Sequence, residues 1–205
     1  MEFKNNTARV IYVSCVTAFL TALSCWAVLA HQGTVLAMRG GGQSSASNDI
    51  RFARDAARGG VAEIKLGDLA QSKASSDTVK AFAGRMIAEH TTSGDHLKQA
   101  ASSENITLPE QLSAKDQSTF DALSKLSGAD FDRAYAQDMV RDHQADLAAF
   151  QKEANSGKDE ALRDFASQTI PMIQEHLNQA KEMLKTVVPT ASNRSKSGAA
   201  RQGRR

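Results

Sequence analysis

Three features of this 205-residue sequence predict an all-helical fold. There are three prolines and two tyrosines against abundant Ala, Lys, Asp, Glu and Gln, a composition that favours helix. Apolar residues recur with helical period over several long stretches. One pentapeptide is also written three times, as Met86-Ile87-Ala88-Glu89-His90, Met139-Val140-Arg141-Asp142-His143 and Met172-Ile173-Gln174-Glu175-His176. In each copy Met and His stand four apart, on one face of a helix.

The N-terminus reads as an export signal. Lys4 and Arg9 precede an apolar run from Val10 to Ala30, and Val28-Leu29-Ala30 offers a small-residue cleavage site. The run, about 21 residues, is also long enough to anchor the chain in the inner membrane through residues 10–30 if it is retained. Both cysteines, Cys15 and Cys25, fall inside this segment, so the mature domain has no disulfide and no thiolate chemistry, which suits the periplasm or cell envelope. Residues 31–47, rich in Gly and Ser near their end, read as a flexible stem.

The domain proper is expected over residues 48–188. A first helix from about Asn48 to Ser72 has the seam Phe52, Ala56, Gly59 or Gly60, Glu63, Leu66, Ala70. After a Ser-Ser-Asp turn, with Asp77 as the expected N-cap, a second helix runs to about Ser103 on Val79, Phe82, Ala83, Met86, His90 and Leu97. Ser113 and Asp116 form a capping-box pattern that opens a short extra helix ending near Ser127-Gly128. The third long helix runs from about Asp130 to Asn155 on Tyr135, Met139, His143, Leu147 and Phe150. The last runs from about Asp159 to Val187 on Leu162, Phe165, Thr169, Ile173, His176, Ala180 and Leu184, with Pro171 expected to kink it. Short connections between long amphipathic helices imply antiparallel neighbours, hence an up-down four-helix bundle with the short helix before its third long member. A faint internal likeness, Val79-Lys80-Ala81-Phe82-Ala83 against Leu162-Arg163-Asp164-Phe165-Ala166, suggests two related hairpins.

Residues 189–205 form a basic tail of disordered composition. The N-terminal segment carries Lys4 and Arg9 against Glu2. The tail carries Arg194, Lys196, Arg201, Arg204 and Arg205 with no acid, so of the net +2 the remaining residues 31–188 hold −4. That acidic balance gives no footprint for nucleic acid. The tail is suited to contact with an anionic envelope surface.

Several runs resemble a known family. Phe52-Ala53, Gly60-Val61-Ala62-Glu63-Ile64-Lys65-Leu66-Gly67, Val79 to Ala83, Met86 to His90, Ile106-Thr107-Leu108-Pro109, Phe131-Asp132-Arg133-Ala134-Tyr135, Met139 to His143 and His176-Leu177 resemble, in order and spacing, the exported bacterial family called domain of unknown function 4142. The likeness spans about Asp49 to Leu184. It implies a ferritin-like fold and an envelope location, since members are often named membrane or outer-membrane proteins. It implies no activity.

Glu63, His90, His143 and His176 each occupy a seam position on a different helix. One carboxylate and three imidazoles are suitable ligands for Fe, Cu or Zn. Met86, Met139 and Met172 offer soft thioethers that would tilt the choice toward copper. Glu89, Asp142 and Glu175 lie about 100° round the helix from their His and can orient a His on a neighbouring helix. The alternative is a satisfied polar layer that sets helix register, with Met as ordinary core filler. The di-iron carboxylate pattern does not fit, because Ile87 and Ile173 stand where its Glu would be. With the hairpin turns near Ala74 and Gly157 at one end, the four donors spread over about 12 Å, too far for one ion. Asp146, one turn beyond His143, could join it as a ligand, a solvated or helix-contact role being favoured, while Asp95-His96 falls off the seam and reads as surface. No phosphate loop, nucleophile constellation or redox Cys motif is present. The sequence therefore favours a non-enzymatic envelope protein, linked to stress tolerance or surface integrity, with a structural core. The rivals are a metal-binding or metal-redox bundle and a membrane-anchored partner-binding module.

Overall fold

A computed structural model describes residues 39–188, with side chains from Ser47 onward. Among the described residues there are five helices and no strand: α1 (Arg39–Lys73), α2 (Asp77–Ser103), α3 (Ala114–Ser124), α4 (Gly128–Ser156) and α5 (Glu160–Val187). The segment 1–30, residues 31–38 of the expected stem and the tail 189–205 lie outside the described residues. Residues 39–47, expected as part of that stem, are helical instead.

Side-chain caps open two of the helices. Ser113 caps α3 by accepting from the Asp116 N–H at 3.1 Å, and Asp159 caps α5 by accepting from the Leu162 N–H at 2.8 Å. At α2 the expected cap is displaced: Ser76 is the N-cap and makes no side-chain cap bond, and Asp77 lies in the first turn. α5 continues through Pro171, which sits on its exposed face.

Two aspartates reveal the topology. Asp132, near the start of α4, accepts from the Ser75 N–H at 3.1 Å, the Ser75 hydroxyl at 2.5 Å and the Ser76 N–H at 3.0 Å, so α4 begins beside the α1–α2 turn. Asp49, on α1, accepts from the Lys158 and Asp159 N–H groups at 2.8 Å each, so the α4–α5 turn lies at the other end. Each hairpin thus caps the turn of the other. α2 and α4 run in the same direction, and the connection through α3 carries the chain back along the length of the molecule. α1 packs on α2 and α4, and α5 packs on α4 and α2, antiparallel in every case.

This corrects the simple up-down order expected from short connections. It also removes the 12 Å spread, which placed the turns at Ala74 and Gly157 at one end. With the turns at opposite ends, the seam positions of the four long helices come level. Glu63, His90, His143 and His176 form a buried polar layer, each having on its own helix apolar core residues on either side. On one side Leu66, Val79, Phe82, Met86, Tyr135 and Met139 belong to one apolar cluster. On the other, Ala53, Leu97, Phe150, Leu162, Phe165 and Ile173 belong to a second.

Candidate metal centre

Helix periodicity delivers His90 from α2, His143 from α4 and His176 from α5 to the middle of the core. His143 and His176 are fully buried and His90 is 8% exposed. Their ring centroids lie 5.3 to 5.9 Å apart. Each ring can bring one nitrogen within 4.8 Å of a nitrogen on each of the others, a group able to hold a metal ion. Three nitrogens at 2.0–2.1 Å from a tetrahedral ion would stand about 3.4 Å apart, so small ring rotations would close the set.

Hydrogen bonds fix which nitrogens are free. Nδ1 of His143 lies 2.9 Å from the Met139 carbonyl, which only accepts, so Nδ1 carries the proton and Nε2 keeps its lone pair. Nε2 of His176 lies 2.6 Å from Oε2 of Glu89. Burial pushes the Glu89 carboxyl up, but Arg85, bonded to it at 2.7 Å, and His176 outweigh this and hold it below its ordinary value. The ionised carboxylate accepts, so Nε2 donates and Nδ1 of His176 is free. The three nitrogens left buried without a partner are His90 Nε2, His143 Nε2 and His176 Nδ1.

The rings are neutral at ordinary pH. Burial, with His143 and His176 nearby, lowers His90 to about 3. Burial and His176 lower His143 to about 4. Burial also lowers His176, against the pull of Glu89. A neutral imidazole with a free lone pair is the form that binds a metal.

Glu63 is near this group but not in it. Its Oε1 lies 3.9 Å from Nδ1 of His143, at the nitrogen already bonded to Met139, and its carboxyl is fully buried with Asp142 as its side-chain hydrogen-bond partner. Burial, reinforced by Asp142, Asp146 and Asp138 on α4, raises its carboxyl well above the ordinary value, so it is held as the neutral acid. Of the three acids beside the histidines, only Glu89 reaches a His on another helix. Asp142 faces Lys115 of α3 at 3.9 Å, and Glu175 faces Arg85 at 3.8 Å and Gln179 at 2.7 Å. Met86 and Met139 are fully buried in the first apolar cluster, and Met172 is half-buried beside the second. His96 is exposed, as its position off the seam predicts.

Two contributors were missed from the sequence. Arg85 holds Glu89, and its signal was the Arg-x-x-x-Glu spacing on one helix face. Phe82 lies 6.4 Å from the His143 ring and 6.5 Å from the His176 ring, centroid to centroid, and closes one side of the layer. Nothing in its pattern separates it from ordinary core.

The model of a domain of unknown function, DUF4142, matches residues 36–183. The chain belongs to the DUF4142 family. No curated protein matches it. Among solved structures, the chain is similar to a DUF305 fragment from Deinococcus radiodurans, at 13% identity and a TM-score of 0.60, covering 68% of this chain and 96% of that one. It is also similar to a conserved hypothetical protein from Mycobacterium tuberculosis, at 18% identity and a TM-score of 0.53, covering 72% and 97%. At these identities the likeness is one of fold. In this DUF4142 chain no helix among the described residues is long and apolar enough to cross a membrane.

Proposed function

We propose that this DUF4142 protein is an exported, ferritin-like four-helix bundle that binds one transition-metal ion, Zn2+ or copper, on His90, His143 and His176. A single observation carries the reading. Three imidazoles lie together in the core, each with a buried nitrogen that has no partner, and two of them have the other nitrogen fixed by a hydrogen bond. A polar layer serving only to set helix register would satisfy its own nitrogens, since each buried group left unpaired costs about 1–3 kcal/mol. An ion coordinated by all three removes that cost at once. An all-imidazole set without a carboxylate in the group favours Zn2+ or copper over the two-His, one-carboxylate pattern of non-haem iron.

In this reading Glu89 is the positioning residue for His176, and Arg85 keeps Glu89 ionised. Export rests on the apolar segment Val10 to Ala30 following Lys4 and Arg9. The role is binding of the ion in the cell envelope, with no catalytic step assigned.

The test is metal content. The full chain is equilibrated with Zn2+, Cu2+, Fe2+ or Mn2+, desalted, and measured for metal per chain by mass spectrometry. One Zn or Cu per chain is expected, lost in His143→Ala. Glu89→Gln should keep the site but weaken it about 10–100-fold, as loss of a carboxylate behind a ligating His does. Sub-stoichiometric content for all four metals would overturn the reading.

A further inference from the structure

Resting on the metal reading above, we propose that the cavity beside His90 is the loading port of the centre, an outer site where a hydrated divalent cation is held before it reaches the three histidines. The cavity has a volume of about 310 Å³ and is lined by residues of α1, α2, α4 and α5 and by the stretch Leu108–Glu110. His90 is the member of the trio on its wall. His143 and His176 are sealed from solvent, with Phe82 covering the opposite side of the layer.

Two glycines bear on whether the cavity is incidental. Gly60 on α1 and Gly94 on α2 both line it. Each sits within a helix, where glycine costs about 0.5–1 kcal/mol relative to alanine. Neither is needed for close packing, because a Cβ at either position would meet nothing within 4 Å. Neither takes a backbone conformation that requires glycine. What their missing side chains do is keep the space open.

The lining charge suits a cation. Asp95, Glu110 and Asp146 contribute carboxylates against Lys98, and Lys98 is paired with Asp95 at 3.0 Å. Asp146 lies deepest, half-buried on α4, with its Oδ2 4.0 Å from where a Cβ of Gly59 would be. His90, on the cavity wall and with its buried Nε2 unpartnered, joins the cavity to the inner centre. The size also fits. At about 30 Å³ per water, a six-water shell takes about 180 Å³, within the cavity volume. An ion can enter hydrated and exchange water for imidazole at the inner end.

The experiment is the rate of Co2+ uptake by the full metal-free chain, followed by stopped-flow visible absorbance, with equilibrium affinity measured separately. Gly60→Leu fills the port without touching a ligand and favours helix. Uptake should slow at least about tenfold while affinity stays within about twofold. Burial, then Asp142, push the Asp146 carboxyl up to about 7, so at pH 8, where it is ionised, Asp146→Asn should slow uptake about threefold and flatten its dependence on salt, because the missing charge no longer draws the cation in. Gly94→Leu blocks the port from the opposite helix and should repeat the effect of Gly60→Leu. Wild-type uptake rates in all three variants would overturn the port and leave the metal reading standing. Loss of affinity at an unchanged rate would do the same. A wild-type chain that takes up no Co2+ at equilibrium would overturn both.

Discussion

Asp132 and His143 lie about three turns apart on α4, both buried, and their surroundings differ in one respect. Asp132, 3% exposed, has a donor for each oxygen, in total two backbone N–H groups and a hydroxyl from the opposite hairpin. His143, fully buried, has one nitrogen bonded to its own helix and the other facing two more imidazoles with nothing to bond. A polar group that folding alone requires comes with its partners supplied. A polar group kept for an external ligand has the protein supply only its orientation. By that contrast the two turn aspartates have their partners within the fold, and the three histidines are the group that could hold an ion.

The largest expected effect is on the structural side. Asp132→Ala leaves two backbone donors of the α1–α2 turn unpaired in a half-buried place. It should cost about 3 kcal/mol in the metal-free protein, seen as a fall of about 10 °C in melting temperature. A fall of only a degree or two would mean that water replaces the carboxylate, and the line drawn between the two regions would blur.

At the centre the sign should reverse. His143→Leu removes an orphaned polar nitrogen and substitutes an apolar group of similar size, which is neutral or stabilising when the lost group had no useful partner. Metal-free protein should therefore gain about 1–2 kcal/mol. The same variant should lose the stabilisation that an ion gives the wild type, about 2.7 kcal/mol at a free concentration one hundred times its Kd. Parallel melts with and without Zn2+ measure both quantities. If His143→Leu destabilises the metal-free chain as strongly as Asp132→Ala, the layer is a satisfied structural one.

The helices and their seams were legible in the sequence because amphipathic period is a local property, and every His expected on a seam is buried on one. The topology was not, because nothing in the spacing of α2, α3 and α4 states at which end α4 begins. That is decided by Asp132 meeting a turn more than fifty positions away, as its contact with Ser75 shows. The same error in topology produced the apparent 12 Å spread. The thrice-written pentapeptide carries the three histidines that the fold brings together, yet its copies are not equivalent once folded. Glu89 reaches His176 across the α2–α5 interface, whereas α3 supplies Lys115 to Asp142, and Arg85 and Gln179 face Glu175. Glu63 was placed among the ligands because it sits on the seam of the first helix. Which nitrogen of His143 it approaches depends on side-chain hydrogen bonds that spacing does not encode.

The smallest effect concerns a third buried polar group, which tests whether an unpaired atom always marks a site. Glu153, near the α4–α5 turn, is 6% exposed and its Oε1 has no partner, yet it stands alone rather than in a converging set. Burial, then Asp49 and Asp159, push its carboxyl up to about 7. In the unfolded chain it titrates near its ordinary value, so between roughly pH 4.5 and 7 the folded state holds more protons. Stability from this group is therefore full below that window and is lost as pH rises through it. Partial solvent screening keeps the amount to about 1 kcal/mol. Glu153→Gln, which cannot ionise, should flatten this part of the profile in metal-free protein and leave Zn2+ stoichiometry at its wild-type value. Denaturation midpoints at pH 5, 6, 7 and 8 provide the measurement, and an unchanged slope in the variant would assign it to other groups. The distinction that survives is then between a stranded carboxyl, which only makes the turn sensitive to pH, and three neighbouring imidazoles that each keep an unpartnered nitrogen.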